Sequence, residues 1–106
     1  MSDKETPLDF SLRNVRKAFD LNKEEAIDLY IEGLQKLKES IIDERFPPGE
    51  ATRYSVSCVG YWNTGDRHTW WSQWRFYPVE AWNDYNAHVA NEPDATHKPK
   101  LLFLEI

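Results

Sequence analysis

A single cysteine, Cys58, excludes an intramolecular disulfide and fits a reducing, cytoplasmic setting. No apolar run approaches the roughly 18 residues that a membrane-spanning helix requires. The stretch from Met1 to Pro7 is polar and acidic, without the basic segment and apolar run of a secretory signal. Cationic excess is also missing. With 13 Lys and Arg against 18 Asp and Glu the net charge is −5, which disfavours direct binding to nucleic acid or to an anionic membrane and suits a basic partner. The sequence has no phosphate loop, dinucleotide fingerprint or nucleophile elbow, and no internal repeat.

Aromatic side chains are abundant: five Trp, five Tyr and five Phe in 106 residues. Each buried ring removes roughly 150–250 Å² from water, so a few rings make a core in a short chain. The length suits one domain over 1–106, with 1–5 expected as a disordered tail.

Thr6-Pro7-Leu8-Asp9 reads as a helix start, with a capping Thr, Pro in the first turn and an acid at the positive dipole end. Leu8, Leu12, Val15 and Phe19 then form one apolar stripe, and Phe10 points away from it. Asn22-Lys23-Glu24-Glu25, close to a capping box, opens a second helix. It is expected to reach about Glu44, ahead of Phe46-Pro47-Pro48-Gly49, with Ile27, Tyr30, Ile31, Leu34, Leu37 and Ile41 as its buried face.

From Ala51 the period becomes two. Tyr54, Val56, Cys58 and Trp62 alternate with Arg53, Ser55, Ser57 and Tyr61. A three-residue turn, Asn63-Thr64-Gly65 with Gly65 left-handed, leads into a second strand. That turn pairs Trp62 with Asp66, Gly60 with His68, Cys58 with Trp70, Val56 with Ser72 and Tyr54 with Trp74. Pro78 opens a third helix to about Ala90, with Trp82, Tyr85 and Val89 facing inward. Leu101 to Ile106 forms a last strand, apolar on both faces, beside the first hairpin strand and parallel to the second. The expected fold is a two-layer, single-domain α+β protein: two N-terminal helices, an antiparallel β-hairpin, a third helix and a C-terminal strand.

Two surfaces point to partner binding. On the second helix Glu25, Asp28, Glu32, Gln35, Glu39 and Asp43 fall within a sector of roughly 80°. Like charges three or four residues apart cost about 0.2–0.5 kcal/mol per pair, so an ordinary solvated face mixes signs. This stripe reads as a docking face for a basic protein, or as a solvated face neutralised by Arg13, Arg16 and Lys17. The second surface is the outer face of the hairpin, where Trp71, Tyr61, Arg53 and Arg75 are residue types enriched in binding hot spots. There Arg53 and Arg75 would be like-charged cross-strand neighbours.

Chemistry is less visible. Cys58 and His68 are diagonal neighbours near Asp66, but a mid-strand thiol opposite Trp70 is ordinary packing. His68, His88 and His97 lack close ligand spacing and no Cys pair supports them, so neither a metal site nor a cofactor is expected. The reading is a non-enzymatic protein-binding module of inhibitor, immunity or adaptor type. By analogy of class it is a phage or plasmid accessory protein docking on a larger basic, nucleic-acid-handling protein. The alternative is a small-molecule-binding or enzymatic domain with a pocket lined by Trp70, Trp74 and Trp82.

Overall fold

The computed structural model describes residues 6–43 and 52–105, with the side chains of 42 and 43 excepted. The expected tail 1–5 and the Phe46-Pro47-Pro48-Gly49 stop lie outside these residues. The elements are β1 Leu8–Asp9, α1 Leu12–Ala18, α2 Lys23–Asp43, β2 Thr52–Tyr61, β3 Arg67–Trp71, α3 Pro78–Asn91 and β4 Lys98–Glu105. The class is α+β, in the expected element order apart from β1.

The first helix begins later than the Thr6-Pro7 signal suggests. Leu8 and Asp9 pair in parallel with Leu102 and Phe103, and the Phe10 amide donates to the Phe103 carbonyl at 2.8 Å. An otherwise open edge of β4 supplies ladder bonds that a helical turn would forgo. The extended backbone also turns Phe10 into the core, which answers its mismatch with the α1 stripe. Ser11 is then the N-cap, its Oγ accepting from the Asn14 amide at 3.2 Å. Asp20, at φ 52°, turns the chain out of α1. Asn22 opens α2 with the expected box: its Oδ1 accepts from the Glu25 amide at 2.9 Å, and Glu25 Oε1 accepts from the Asn22 amide at 3.3 Å.

The hairpin register is as expected from the turn to Trp71. Gly65 has φ 97°, Trp62 and Asp66 are bonded, and Gly60, Cys58 and Ser57 face His68, Trp70 and Trp71. Beyond Trp71 the register changes. Tyr54 pairs with Arg75, not Trp74, so one extra residue is accommodated between Trp71 and Arg75 as a bulge. Ser72 holds it, its Oγ accepting from the Val56 amide at 3.0 Å. Because side chains alternate, a one-residue slip moves Trp74 to the Trp71 face and Arg75 to the opposite one. The expected Arg53–Arg75 cross-strand pair is therefore not formed. Nor can Trp70, Trp74 and Trp82 line one pocket: Trp74 is fully buried in a different layer.

The sheet order is β1-β4-β2-β3, with β4 antiparallel to β2 as expected and β1 added at its far edge. Helices cover both faces. On one, α1 and α2 enclose Phe10, Val15, Phe19, Leu29, Val59, Trp71, Trp74 and Leu102. On the other, α3 packs a smaller cluster of Val56, Ala81 and Leu101, flanked by Tyr54, Trp82 and Tyr85. The sheet is thus the middle of three layers rather than one of two, as the doubly apolar last strand required.

The buried face of α2 differs from expectation. Ala26, Leu29, Gly33 and Ser40 are buried and Tyr30 and Leu37 half-buried, while Ile27, Ile31, Leu34 and Ile41 are exposed. Ala26, Gly33 and Ser40 recur every seven residues, a seam of small side chains that lets the helix backbone approach the two tryptophans. The indole N–H of Trp71 donates to the Leu29 carbonyl and that of Trp74 to the Gly33 carbonyl, both at 3.1 Å. Ser40 Oγ accepts from the Trp74 amide at 2.9 Å. Tyr30 and Leu37 pack against the core as expected, but the buried face is rotated about a quarter-turn from the large aliphatic stripe, because close packing here uses small residues and buried indoles.

A Cβ on Gly33 would stand 2.7 Å from Trp71 Cζ2 and 2.9 Å from Phe10 Cζ, both ring atoms with no room to retreat. Ala gains up to about 1 kcal/mol in helix propensity over Gly, but overpacking costs about 1–3 kcal/mol. Gly33→Ala is expected to destabilise the protein by about 1–2 kcal/mol net in chemical denaturation. A more stable variant would show that α2 does not rest on the indoles.

Candidate functional site

On the α3 side, four polar side chains from four parts of the chain meet near one end of the sheet. Cys58 lies on β2, His68 on β3, His88 near the end of α3 and His97 just before β4. Each offers one ligand atom, and these atoms all lie within 4.8 Å of one another. Cys58 is fully buried, His68 and His88 nearly so, and His97 half-buried.

The fold fixes each position. Cys58 and His68 follow from the hairpin register, which makes them diagonal neighbours. His88 is held by rings: the Trp70 indole stacks flat on it at 4.3 Å and 5°, and His68 stacks at 5.1 Å. His97 is placed by the segment before β4, which is laced onto the end of the hairpin. The Asn63 amide donates to Asp94 O at 2.9 Å, the Thr96 amide to Tyr61 O at 2.8 Å, and the Tyr61 amide to Thr96 Oγ1 at 2.9 Å.

Hydrogen bonds define one tautomer. His97 Nε2 lies 2.9 Å from the Glu92 carbonyl, which can only accept, so Nε2 carries the proton and Nδ1 presents a lone pair. Cys58 Sγ and His68 Nε2 each stand 3.4 Å from that Nδ1. Burial, and then the neighbouring His97 and His68, hold His88 down to about 4. Burial and His97 also lower His68, against the opposing influence of Glu92 and a hydrogen bond with the Thr96 backbone. Burial raises the Cys58 thiol, offset in part by a Lys98 backbone hydrogen bond. Near neutral pH the site therefore holds uncharged His68 and His88 and a protonated thiol.

Cys58, His97 and the Glu92 carbonyl follow the order of nucleophile, base and orienting group. Thiol catalysis nevertheless lacks two requirements. The sulfur is wholly shielded from solvent, and burial shifts it away from the thiolate that attacks. What the arrangement offers is three nitrogen donors and one sulfur donor converging on one point. Linear spacing carries no hint of this, because the donors are brought together by a hairpin, a helix end and a returning loop.

The surface residues singled out in the sequence separate into two groups. Glu25 is paired with Arg67 and engaged in the α2 cap, and Glu32 accepts from Thr69 Oγ1 at 2.8 Å. Asp28 and Glu39 are exposed, Glu39 with Lys36 at 3.4 Å. The Asp43 side chain lies outside the described residues. On the hairpin, Trp71 is buried beneath α2, and Arg53 is fully buried with its guanidinium 3.9 Å from the Phe76 ring centre. Arg75 makes a two-pronged bond to Asp84 at 2.9 and 3.1 Å. Only Tyr61 of this group remains well exposed. The hairpin face is thus not an open surface: α2 covers Trp71, and the bulge sends Arg75 to α3. Instead, Ile27, Ile31, Leu34 and Ile41 form an exposed row on α2.

A Cβ on Gly60 would overlap the Thr96 carbonyl oxygen, backbone that cannot swing aside. Gly60→Ala should therefore displace the segment carrying His97 or cost about 3 kcal/mol or more, the upper end of overpacking penalties. A melt within a degree or two of wild type would show that this segment is not pressed against β2.

No family model, curated protein or solved structure matches this chain.

Proposed function

We propose that this protein is a non-enzymatic protein-binding module that docks through α2 on a larger basic partner. The observation that carries this reading is the row Ile27, Ile31, Leu34 and Ile41, each between 36% and 44% exposed. Scattered apolar residues on a surface mean little, but a cluster rimmed by polar groups marks an interaction site; Ile27, Ile31 and Leu34 are neighbours on successive turns, and the exposed Lys38 separates them from Ile41. The row covers a sector of about 80° and runs about 21 Å along the helix. Glu24, Asp28, Gln35 and Glu39 follow on one flank, turning the exposed face from aliphatic to acidic within a quarter-turn.

An amphipathic helix presenting i, i+4, i+7 anchors is suited to a groove in a partner. The anchors supply affinity through burial, and the carboxylates steer a basic rim into register. Basic surfaces of this kind belong to proteins that handle nucleic acid, so blocking or adapting such a protein is the fitting role. Among the described residues no ion pair joins Arg13, Arg16 or Lys17 of α1 to the stripe. They line a hollow with Leu12, Asp20, Leu21, Lys23 and Ala26 at the α1–α2 elbow.

The test uses the partner captured by a photo-crosslinking residue at position 31. Ile31→Ser with Leu34→Ser is expected to weaken the complex at least tenfold, with a melt close to wild type because both side chains are already partly in water. Asp28→Asn with Glu39→Gln should slow association, and the difference should shrink with salt as screening shortens to about 10 Å at 0.1 M. Unchanged affinity in the serine variant would sink the reading. Crosslinks only between copies of the chain would instead make the row a self-association surface.

A further inference from the structure

We propose that Cys58, His68, His88 and His97 bind one divalent transition-metal ion of mixed nitrogen and sulfur preference, zinc first among them. The inference does not depend on the α2 docking surface. The chain has one cysteine and three histidines, and all four are in this cluster. Packing alone has no reason to collect every thiol and every imidazole of a 106-residue chain at one point.

The geometry fits a tetrahedral ion. Ligand bonds of about 2.0–2.3 Å set neighbouring donors about 3.3–3.7 Å apart. Two donor separations, Cys58 Sγ to His97 Nδ1 and His68 Nε2 to His97 Nδ1, are already 3.4 Å, and no separation exceeds 4.8 Å. Closing the longer ones asks for side-chain movements of about an ångström.

Hydrogen bonding among the four groups leaves them poorly satisfied. The single lone pair on His97 Nδ1 faces both the thiol and His68 Nε2, and it can accept fully from only one. His88, 8% exposed, has its Nε2 buried with no hydrogen-bond partner. A metal ion answers all of these at once, since each neutral imidazole and the thiolate contributes one lone pair. The Glu92 carbonyl already does what an outer-shell partner does for a ligating histidine, fixing the tautomer through the nitrogen that does not ligate.

The donor set also selects. Magnesium and calcium require oxygen ligands, which this cluster does not offer. Four protein donors complete a tetrahedron, so the site is closed and structural rather than catalytic. On binding, Cys58 releases its thiol proton to solvent. The ion then ties β2, β3, the end of α3 and the start of β4 together on the side of the sheet that has the smaller apolar cluster.

The test starts from the full chain stripped with a chelator and dialysed. Cobalt(II) is expected to bind at one equivalent, with intense tetrahedral bands in the visible and a thiolate-to-cobalt charge-transfer band. One equivalent of zinc should bleach both. Saturating zinc should raise the melting midpoint by about 10 °C or more. Cys58→Ser should lose the charge-transfer band. His97→Ala, at a half-buried loop position, should bind at least tenfold more weakly while its metal-free melt stays within a few degrees of wild type, and it carries the test if Cys58→Ser does not fold. The proposal is overturned by no stoichiometric cobalt binding, by a pale octahedral spectrum without charge transfer, or by undiminished affinity in His97→Ala.

Discussion

Two indole N–H groups, reaching from the sheet to consecutive turns of α2, set the rotation and distance of that helix. Trp71 and Trp74 donate to carbonyls four residues apart, Leu29 and Gly33, so the helix cannot roll without breaking both bonds. An indole donor buried without an acceptor carries a penalty of about 1–3 kcal/mol, which makes the pair a stringent constraint. It can form only because the bulge after Trp71 brings Trp74 to the same face. It also needs Ala26, Gly33 and Ser40 on the facing side, since larger residues would hold the helix off. With α2 locked in this way, Ile27, Ile31, Leu34 and Ile41 have no place in the core.

Much of the fold was legible from local signals. The Asn22–Glu25 box, the three-residue turn with left-handed Gly65 and Pro78 at the start of α3 each act within a few residues, and each sits where expected. The placement of β4 beside β2 also followed, from a helical crossover that lays it parallel to β3, although the expected order left it at the edge that β1 occupies. What the sequence concealed were decisions made between elements. Leu8 and Asp9 become a strand because β4 has an open edge. Trp74 changes face because one residue is absorbed as a bulge. Ile27, Ile31, Leu34 and Ile41 are left outside because the core prefers small residues against indoles.

The candidate sites show the same division. The acidic stripe was readable as a periodicity, yet its members differ in availability, since Glu25 and Glu32 are engaged with Arg67 and Thr69 of β3. Cys58 and His68 were placed together by the register. His88 and His97 were not, because no spacing rule links a helix end, a loop and a hairpin. Their convergence depends on the lacing of 94–97 along the hairpin end, which uses backbone groups and so leaves little trace in the sequence.

The bulge has a further consequence, for association between sheets. β3 is an edge strand, and an exposed edge invites another chain to add a strand to it. Here the regular edge is five residues long, starts at the charged Arg67 and ends where the chain kinks after Trp71. At the opposite edge, β1 contributes only two residues. Among the described residues neither border offers a long flat template, since the part of β4 ahead of Leu102 that β1 leaves uncovered carries Lys98, Pro99 and Lys100. A chain so rich in aromatic and β-forming side chains is thereby protected against open-ended stacking by the same irregularity that turns Trp74 inward.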